Sequence, residues 1–295
     1  MRRFYPRRRC YAQPMLRSLL RISTLALFLA GCASTHVTFP NATPGTALHV
    51  PAHEYRPRGD GPFPGVVLLH GCGGVSTSTH QWARWFRRQG YVALIVDSWT
   101  PRGFSDGCPA TAPDPDATER FDDAIGALVF LRSRPYVDGA RVGAIGWSNG
   151  GVYSMAVVNG PSLERARRRG VTIPEPGFMA AIGVYPGGCA SLAPELSVRP
   201  VLVLMGDVDD WTRPGPCVDL VASQRARGAD ATIVLYHGAY HYFDVEGQAR
   251  TELTDVANDN RPNSCCGATV GYDPEAAADA FRRVAVFFGR YLAPR

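Results

Sequence analysis

Six short apolar runs recur along the chain, each bordered by glycine, proline or polar residues: 65–69, 91–96, 141–146, 178–185, 201–205 and 232–236. They lack the polar alternation of a half-exposed strand, so they read as parallel strands buried on both faces. Helical patterns lie between them, at 81–89, 117–131, 152–159, 217–227 and 274–292. The second has acids early and an arginine late, which suits the helix dipole. In the last, Ala277, Phe281, Val284, Phe288 and Leu292 share one face. This alternation predicts an α/β fold: a doubly wound, mostly parallel sheet with helices on both faces. A length of 295 residues with 45% apolar content suits one such domain. No internal repeat and no second domain boundary stand out.

The N-terminus reads differently. From Met15 the chain runs MLRSLLRISTLALFLAGCAS, with Arg17 and Arg21 before an apolar stretch at 22–30. That stretch is too short to span a bilayer comfortably and has the build of a secretory leader. Its end, Leu29-Ala30-Gly31-Cys32, resembles the lipobox of bacterial lipoproteins. The resemblance implies a signal peptide over 1–31, a lipid on Cys32, and a protein anchored in the bacterial cell envelope. Ala33 after the cysteine points to the outer membrane, facing the periplasm. Residues 33–47, ASTHVTFPNATPGTA, are polar and turn-rich, so 32–50 is expected to tether a domain spanning 51–295.

The net charge of +5 becomes −2 once the seven arginines of residues 1–31 are set aside. A roughly neutral domain offers no field for nucleic acid, and RARRR at 165–169 reads as a solvated helix face. The chain contains no lysine, which excludes Schiff-base chemistry. Beyond Cys10 and Cys32, six cysteines remain: Cys72, Cys108, Cys189, Cys217, Cys265 and Cys266. In an oxidising compartment an even number suggests disulfides. Cys189 with Cys217 is the favoured pair, since both follow expected strands. Adjacent Cys265 and Cys266 are each expected to seek another partner. The CxxC spacing of a zinc site is absent.

Gly146-Trp147-Ser148-Asn149-Gly150 matches G-x-S-x-G between an expected strand and an expected helix. A serine on such a turn is a nucleophile held in a strained, exposed backbone. Nucleophile, acid, histidine is the chain order of this chemistry in α/β-hydrolases. Downstream lie only two histidines, His237 at a strand end and His241 in the loop beyond, where a base can reach the serine. The acid is expected in GDVDDWTRP, which leaves Asp207, Asp209 and Asp210 open. Oxyanion donors are expected from Asn149 N–H and from Cys72 N–H in His70-Gly71-Cys72-Gly73-Gly74. Trp147 and Trp211 are candidates for an aromatic substrate wall, with core packing the preferred reading. Two long irregular stretches, 102–118 and 248–273, could frame a pocket.

Together LLHGCGG, GWSNGG, MGDVDDWT, YHGAYHYFD and YDPEAAADAFRRVAVFF resemble the dienelactone hydrolase family of α/β-hydrolases, over about 51–295. The resemblance implies Asp209 as the acid and His241 as the base. It makes Arg102 similar to an arginine that binds a substrate carboxylate. Two positions depart from the founding enzymes: Ser148 replaces a cysteine nucleophile, and Gly71 stands in place of a glutamate. Another ester than dienelactone is therefore the expected substrate. The expectation is a serine hydrolase that cleaves a small carboxylic ester through an acyl-enzyme, with no metal or organic cofactor. The alternatives are an amide or peptide hydrolase, an acyltransferase on the same triad, and a non-catalytic envelope lipoprotein that binds a ligand.

Overall fold

The computed structural model describes residues 34–112, 117–192 and 196–293. The expected leader and Cys32 lie outside them. In chain order the elements are β1 (Thr35–Pro40), β2 (His49–Tyr55), β3 (Phe63–Leu69), α1 (Thr77–Arg88), β4 (Val92–Val96), α2 (Ala117–Arg132), β5 (Val137–Trp147) and α3 (Asn149–Ala156). Then follow α4 (Gly160–Arg168), β6 (Ala181–Val184), β7 (Val201–Gly206), α5 (Gly215–Ala226), β8 (Ala231–Tyr236), β9 (Thr251–Leu253), β10 (Ala268–Val270) and α6 (Pro274–Tyr291).

Eight strands form one sheet in the order β1-β2-β4-β3-β5-β6-β7-β8. β1, β2 and β4 pair antiparallel, and every pair from β4 to β8 is parallel. This is the α/β-hydrolase fold expected from the sequence, and all six apolar runs occupy its parallel part. Alternate residues face opposite sides. Val67 and Leu69 belong to one buried cluster with Leu128 of α2, Met155 of α3 and Leu220 of α5. Val66 and Leu68 pack with Trp82 and Phe86 of α1 and with Ala280, Val284 and Phe288 of α6. Helices therefore cover both faces. The basic cluster lies at the end of α4, where Arg167 pairs with Glu164 and Glu175.

The sheet starts earlier than expected. The stretch read as a tether contains β1, an edge strand in which Phe39 is buried against Phe130 and α2. The signal was the alternation His36-Val37-Thr38-Phe39, a strand with one buried face, lost among flanking turn residues. The stretch 248–273 is also less irregular than expected, since β9 and β10 pair as an antiparallel ribbon. Among the described residues no helix is long and apolar enough to cross a membrane.

Candidate active site

The sharpest local feature lies between β5 and α3. Ser148 has φ 51° and ψ −118°, a conformation that L residues rarely adopt. The close packing of strand and helix explains the glycines around it. A Cβ on Gly146 would collide with the Gly150 carbonyl, and one on Gly150 with the Leu69 and His70 carbonyls. Hydrogen bonds fasten the turn to the end of β6: Ser148 N–H donates to Val184 O at 2.9 Å, and Gly187 N–H to Ser148 O at 3.1 Å.

His241 lies against the same strand end. His241 is fully buried, and its ring lies 4.4 Å from that of Tyr185, the residue after β6, and 4.8 Å from that of Trp211. Its Nδ1 is 2.8 Å from Asp209 Oδ2 and 3.1 Å from Thr212 Oγ1. Its Nε2 is buried and bonds to no protein group among the described residues. Asp209 is 2% exposed. Its Oδ1 accepts from Trp211 N–H and Thr212 N–H, both at 2.9 Å, and its Oδ2 accepts from Thr212 Oγ1 at 3.0 Å. A carboxylate so oriented accepts a hydrogen bond from Nδ1–H and leaves Nε2 with the free lone pair.

The three aspartates have three separate partners. Asp207 pairs with His237 at the surface. Asp210 accepts from the Thr269 N–H and hydroxyl of β10, at 2.8 and 3.1 Å. Only Asp209 meets His241.

The loop after β3 completes the site. A Cβ at Gly71 would lie 3.5 Å from Ser148 Cβ, so this loop passes directly over Ser148. Cys72 is held by a disulfide to Cys108, and its carbonyl accepts from Trp99 Nε1 at 2.6 Å and Gly107 N–H at 2.9 Å. Neither Cys72 N–H nor Asn149 N–H is among the backbone donors spent on loops and caps of the described residues. The two long stretches meet beside the site. Pro109 bridges Val256, and Cys108, Val256, Ala268 and Val270 form one apolar cluster with Trp211. Asn258 Nδ2 donates to Asp210 O and Asn260 Nδ2 to Trp211 O, which straps the second stretch to the acid loop.

Several expectations need correction. Arg102 is not available to a substrate carboxylate. Its guanidinium bonds Asp123, Glu119 and Ser98 O, all within its own neighbourhood. Burial works against its charge, but the bonds to Asp123 and Glu119 more than offset that and raise its pKa. Trp147 faces the α1–α6 side of the sheet, where it packs on Trp82 and donates to the buried Asp244 at 2.8 Å. It is a core residue, as strand alternation requires. Trp211 flanks the histidine ring, and its indole N–H is spent on Ala257 O. The disulfide Cys189–Cys217 forms as expected. Cys265 and Cys266, however, bond each other across a cis peptide bond. With the other four described cysteines paired, each has only its neighbour.

Sequence reasoning missed Thr212, Tyr185 and Asp244. Asp244 Oδ1 accepts from Tyr185 Oη at 2.6 Å, and Oδ2 from the indoles of Trp82 and Trp147, both at 2.8 Å. Burial raises its pKa, and those hydrogen bonds oppose the rise. This carboxylate ties the residue before Ser148 to the loop that carries His241. Its only sequence signal was an acid inside the otherwise aromatic YHYFD.

The family model for the dienelactone hydrolase family matches residues 50–292. Among solved structures, the chain is similar to the dienelactone hydrolase-like promiscuous phosphotriesterase P91 from metagenomic libraries (21% identity, TM-score 0.64, 88% of this chain and 99% of that one). It is similar to a thermophilic esterase from Thermogutta terrifontis with butyrate bound (17%, TM-score 0.60, 87% and 95%). A dienelactone hydrolase from Anabaena variabilis also matches (16%, TM-score 0.58, 88% and 98%). At these identities the likeness is one of fold.

Proposed function

The chain belongs to the dienelactone hydrolase family and is a carboxylic ester hydrolase of that type, and on that premise we propose that it works through a Ser148–His241–Asp209 triad and an acyl-enzyme. Ser148 Oγ attacks the ester carbonyl while His241 Nε2 takes its proton. Asp209 holds the Nδ1 proton and stabilises the imidazolium that forms. The oxyanion accepts from Cys72 N–H and Asn149 N–H. As the tetrahedral intermediate collapses, His241 returns the proton to the leaving alcohol. Water, deprotonated by His241, then attacks the acyl-serine, and the acid leaves with Ser148 restored. The substrate is a small-molecule ester.

One observation carries this reading: a fully buried imidazole whose Nδ1 is committed to a buried carboxylate and whose Nε2 has no protein partner among the described residues. A polar atom in that position is costly unless it has work with a substrate or nucleophile. The test is hydrolysis of short and medium p-nitrophenyl esters, with Ser148→Ala in parallel and fluorophosphonate labelling as a second readout. Turnover and labelling that vanish in the mutant support the triad. A folded wild type that neither turns over nor labels favours the ligand-binding alternative.

We further propose that residues 1–31 are a lipoprotein signal peptide and that a lipid on Cys32 anchors the protein in the bacterial envelope, on the periplasmic face of the outer membrane. The lipobox resemblance supports this. Cys32→Ser is expected to move the protein out of the membrane fraction, and detergent-dependent retention of that mutant would defeat the idea.

A further inference from the structure

Arg120, near the start of α2, is only 1% exposed. Its guanidinium lies 4.5 Å from the ring of Trp99 and 5.1 Å from that of Tyr153. Nη2 donates to His70 O at 2.7 Å, and Nη1 donates to Asn149 Oδ1. These two acceptors belong to the two halves of the proposed oxyanion hole. His70 opens the loop that carries Cys72, and Asn149 follows the nucleophile.

The surrounding charges make the placement unusual. Among the described residues no carboxylate bonds to Arg120. Asp123 is taken by Arg102 and by Asn41 Nδ2. The His70 ring, whose Nδ1 lies 3.5 Å from Arg120 Nη2, supplies no counter-charge either. Its Nε2 accepts from Ser98 N–H while its Nδ1 faces Gly71 O, the pattern of a neutral ring. Burial, with the charge of Arg120 next, pushes the pKa of His70 well below the ordinary value. Burial also pulls Arg120 down to about 10, which leaves it charged at neutral pH. The charge of Asp123 acts on Arg120 only from beyond bonding distance, and a buried guanidinium bonded to no carboxylate is a large cost for a fold to carry.

We propose that Arg120 is a positioning residue of the hydrolase: its two bonds hold the two oxyanion donors in register, and its buried charge, bonded to no carboxylate, is offset when the oxyanion forms. Preorganised charge aimed at a developing anion lowers the barrier without tightening substrate binding. The inference rests on the triad reading above.

Arg120→Met and Arg120→Lys are to be compared with wild type on p-nitrophenyl esters. Fluorophosphonate labelling gives a second rate, and thermal unfolding reports the fold. Ser148→Ala runs beside them. A wild type that neither turns over nor labels defeats the triad reading, and this inference with it. In an active wild type, Arg120→Met is expected to lower kcat by about 30-fold, less than the loss of a direct donor, with KM changed by less than about threefold. Labelling should slow in parallel, and Arg120→Lys should recover part of both rates. Wild-type kcat in folded Arg120→Met, or a loss confined to KM, overturns the proposal. Should Arg120→Met fail to fold, Asn149→Asp carries the test. Its carboxylate still accepts from Nη1 but neutralises the charge, so kcat should fall by about tenfold. Wild-type kcat in Asn149→Asp overturns the proposal equally.

Discussion

Two aspartate–histidine pairs sit within a few residues of each other, and they differ in everything but length. Asp207 with His237 and Asp209 with His241 both place Nδ1 2.8 Å from Oδ2. Each joins the loop after β7 to the segment after β8. The His237 side chain is 98% exposed, whereas those of His241 and Asp209 are fully covered. In water the first pair is screened and contributes at most about 1 kcal/mol. The second is desolvated, and Asp209 is further held by two backbone N–H groups and a hydroxyl. Contact geometry alone does not make a catalytic dyad. The proposed Asp209–His241 dyad has a dry setting and an oriented carboxylate as well.

The largest effect that separates the pairs is on turnover. Asp209→Asn should lower kcat by about 10⁴-fold, because the imidazole loses its tautomer and its counter-charge. Asp207→Asn should stay within about twofold. Equal losses, or a dominant loss at Asp210, would place the acid elsewhere. Next comes stability in urea. Asp209→Ala strands the N–H groups of Trp211 and Thr212 and should cost about 2–4 kcal/mol, against about 0.5 or less for Asp207→Ala. Comparable midpoints for the two mutants would contradict this account of the buried pair.

A smaller effect concerns the neighbouring Asp210, which fastens β10 to the acid loop. Asp210→Ala should cost about 1–2 kcal/mol locally and speed amide exchange across 251–270 by about tenfold. Unchanged exchange there would show that the hairpin needs no such clamp.

The smallest effects are on pH, and they carry opposite signs. The hydrogen bond from His237 lowers the pKa of Asp207, so its contribution is present above the unfolded value of 3.8 and lost as pH falls through the folded one. Burial raises the pKa of Asp244. Its folded form holds the proton longer, so stability from this site falls as pH rises from 3.8 through the folded value. Measured at pH 4 and pH 7, the stability difference between wild type and Asp244→Asn should therefore move in the mutant's favour on raising pH. The corresponding difference for Asp207→Asn should move the other way, and only slightly. A shift of the same sign at both sites would refute the contrast.

The parallel strands β3 to β8 were legible because each is a local apolar run, and all but the edge strand β8, whose Thr232 and Leu235 are exposed, are buried on both faces. The nucleophile turn was legible for a related reason: Gly146 and Gly150 record in sequence where backbones touch. Chain order then confined the acid to one loop and the base to two histidines. The residues alone did not decide among Asp207, Asp209 and Asp210. Family resemblance implies Asp209, and of the three only Asp209 is enclosed with His241. Similarly, Arg102 is the right type of residue for a substrate carboxylate, yet α2 brings Asp123 and Glu119 to it first. Trp147 borders the nucleophile in sequence, but alternation turns it to the opposite face of the sheet. Arg120 had no local signature, because its partners His70 and Asn149 lie 50 and 29 residues away. Sequence by itself determined the parallel strands, the helices between them, their order and the kinds of side chain at the site. Tertiary structure decided which of those side chains lose water and meet, because burial and partner choice depend on segments far apart in the chain.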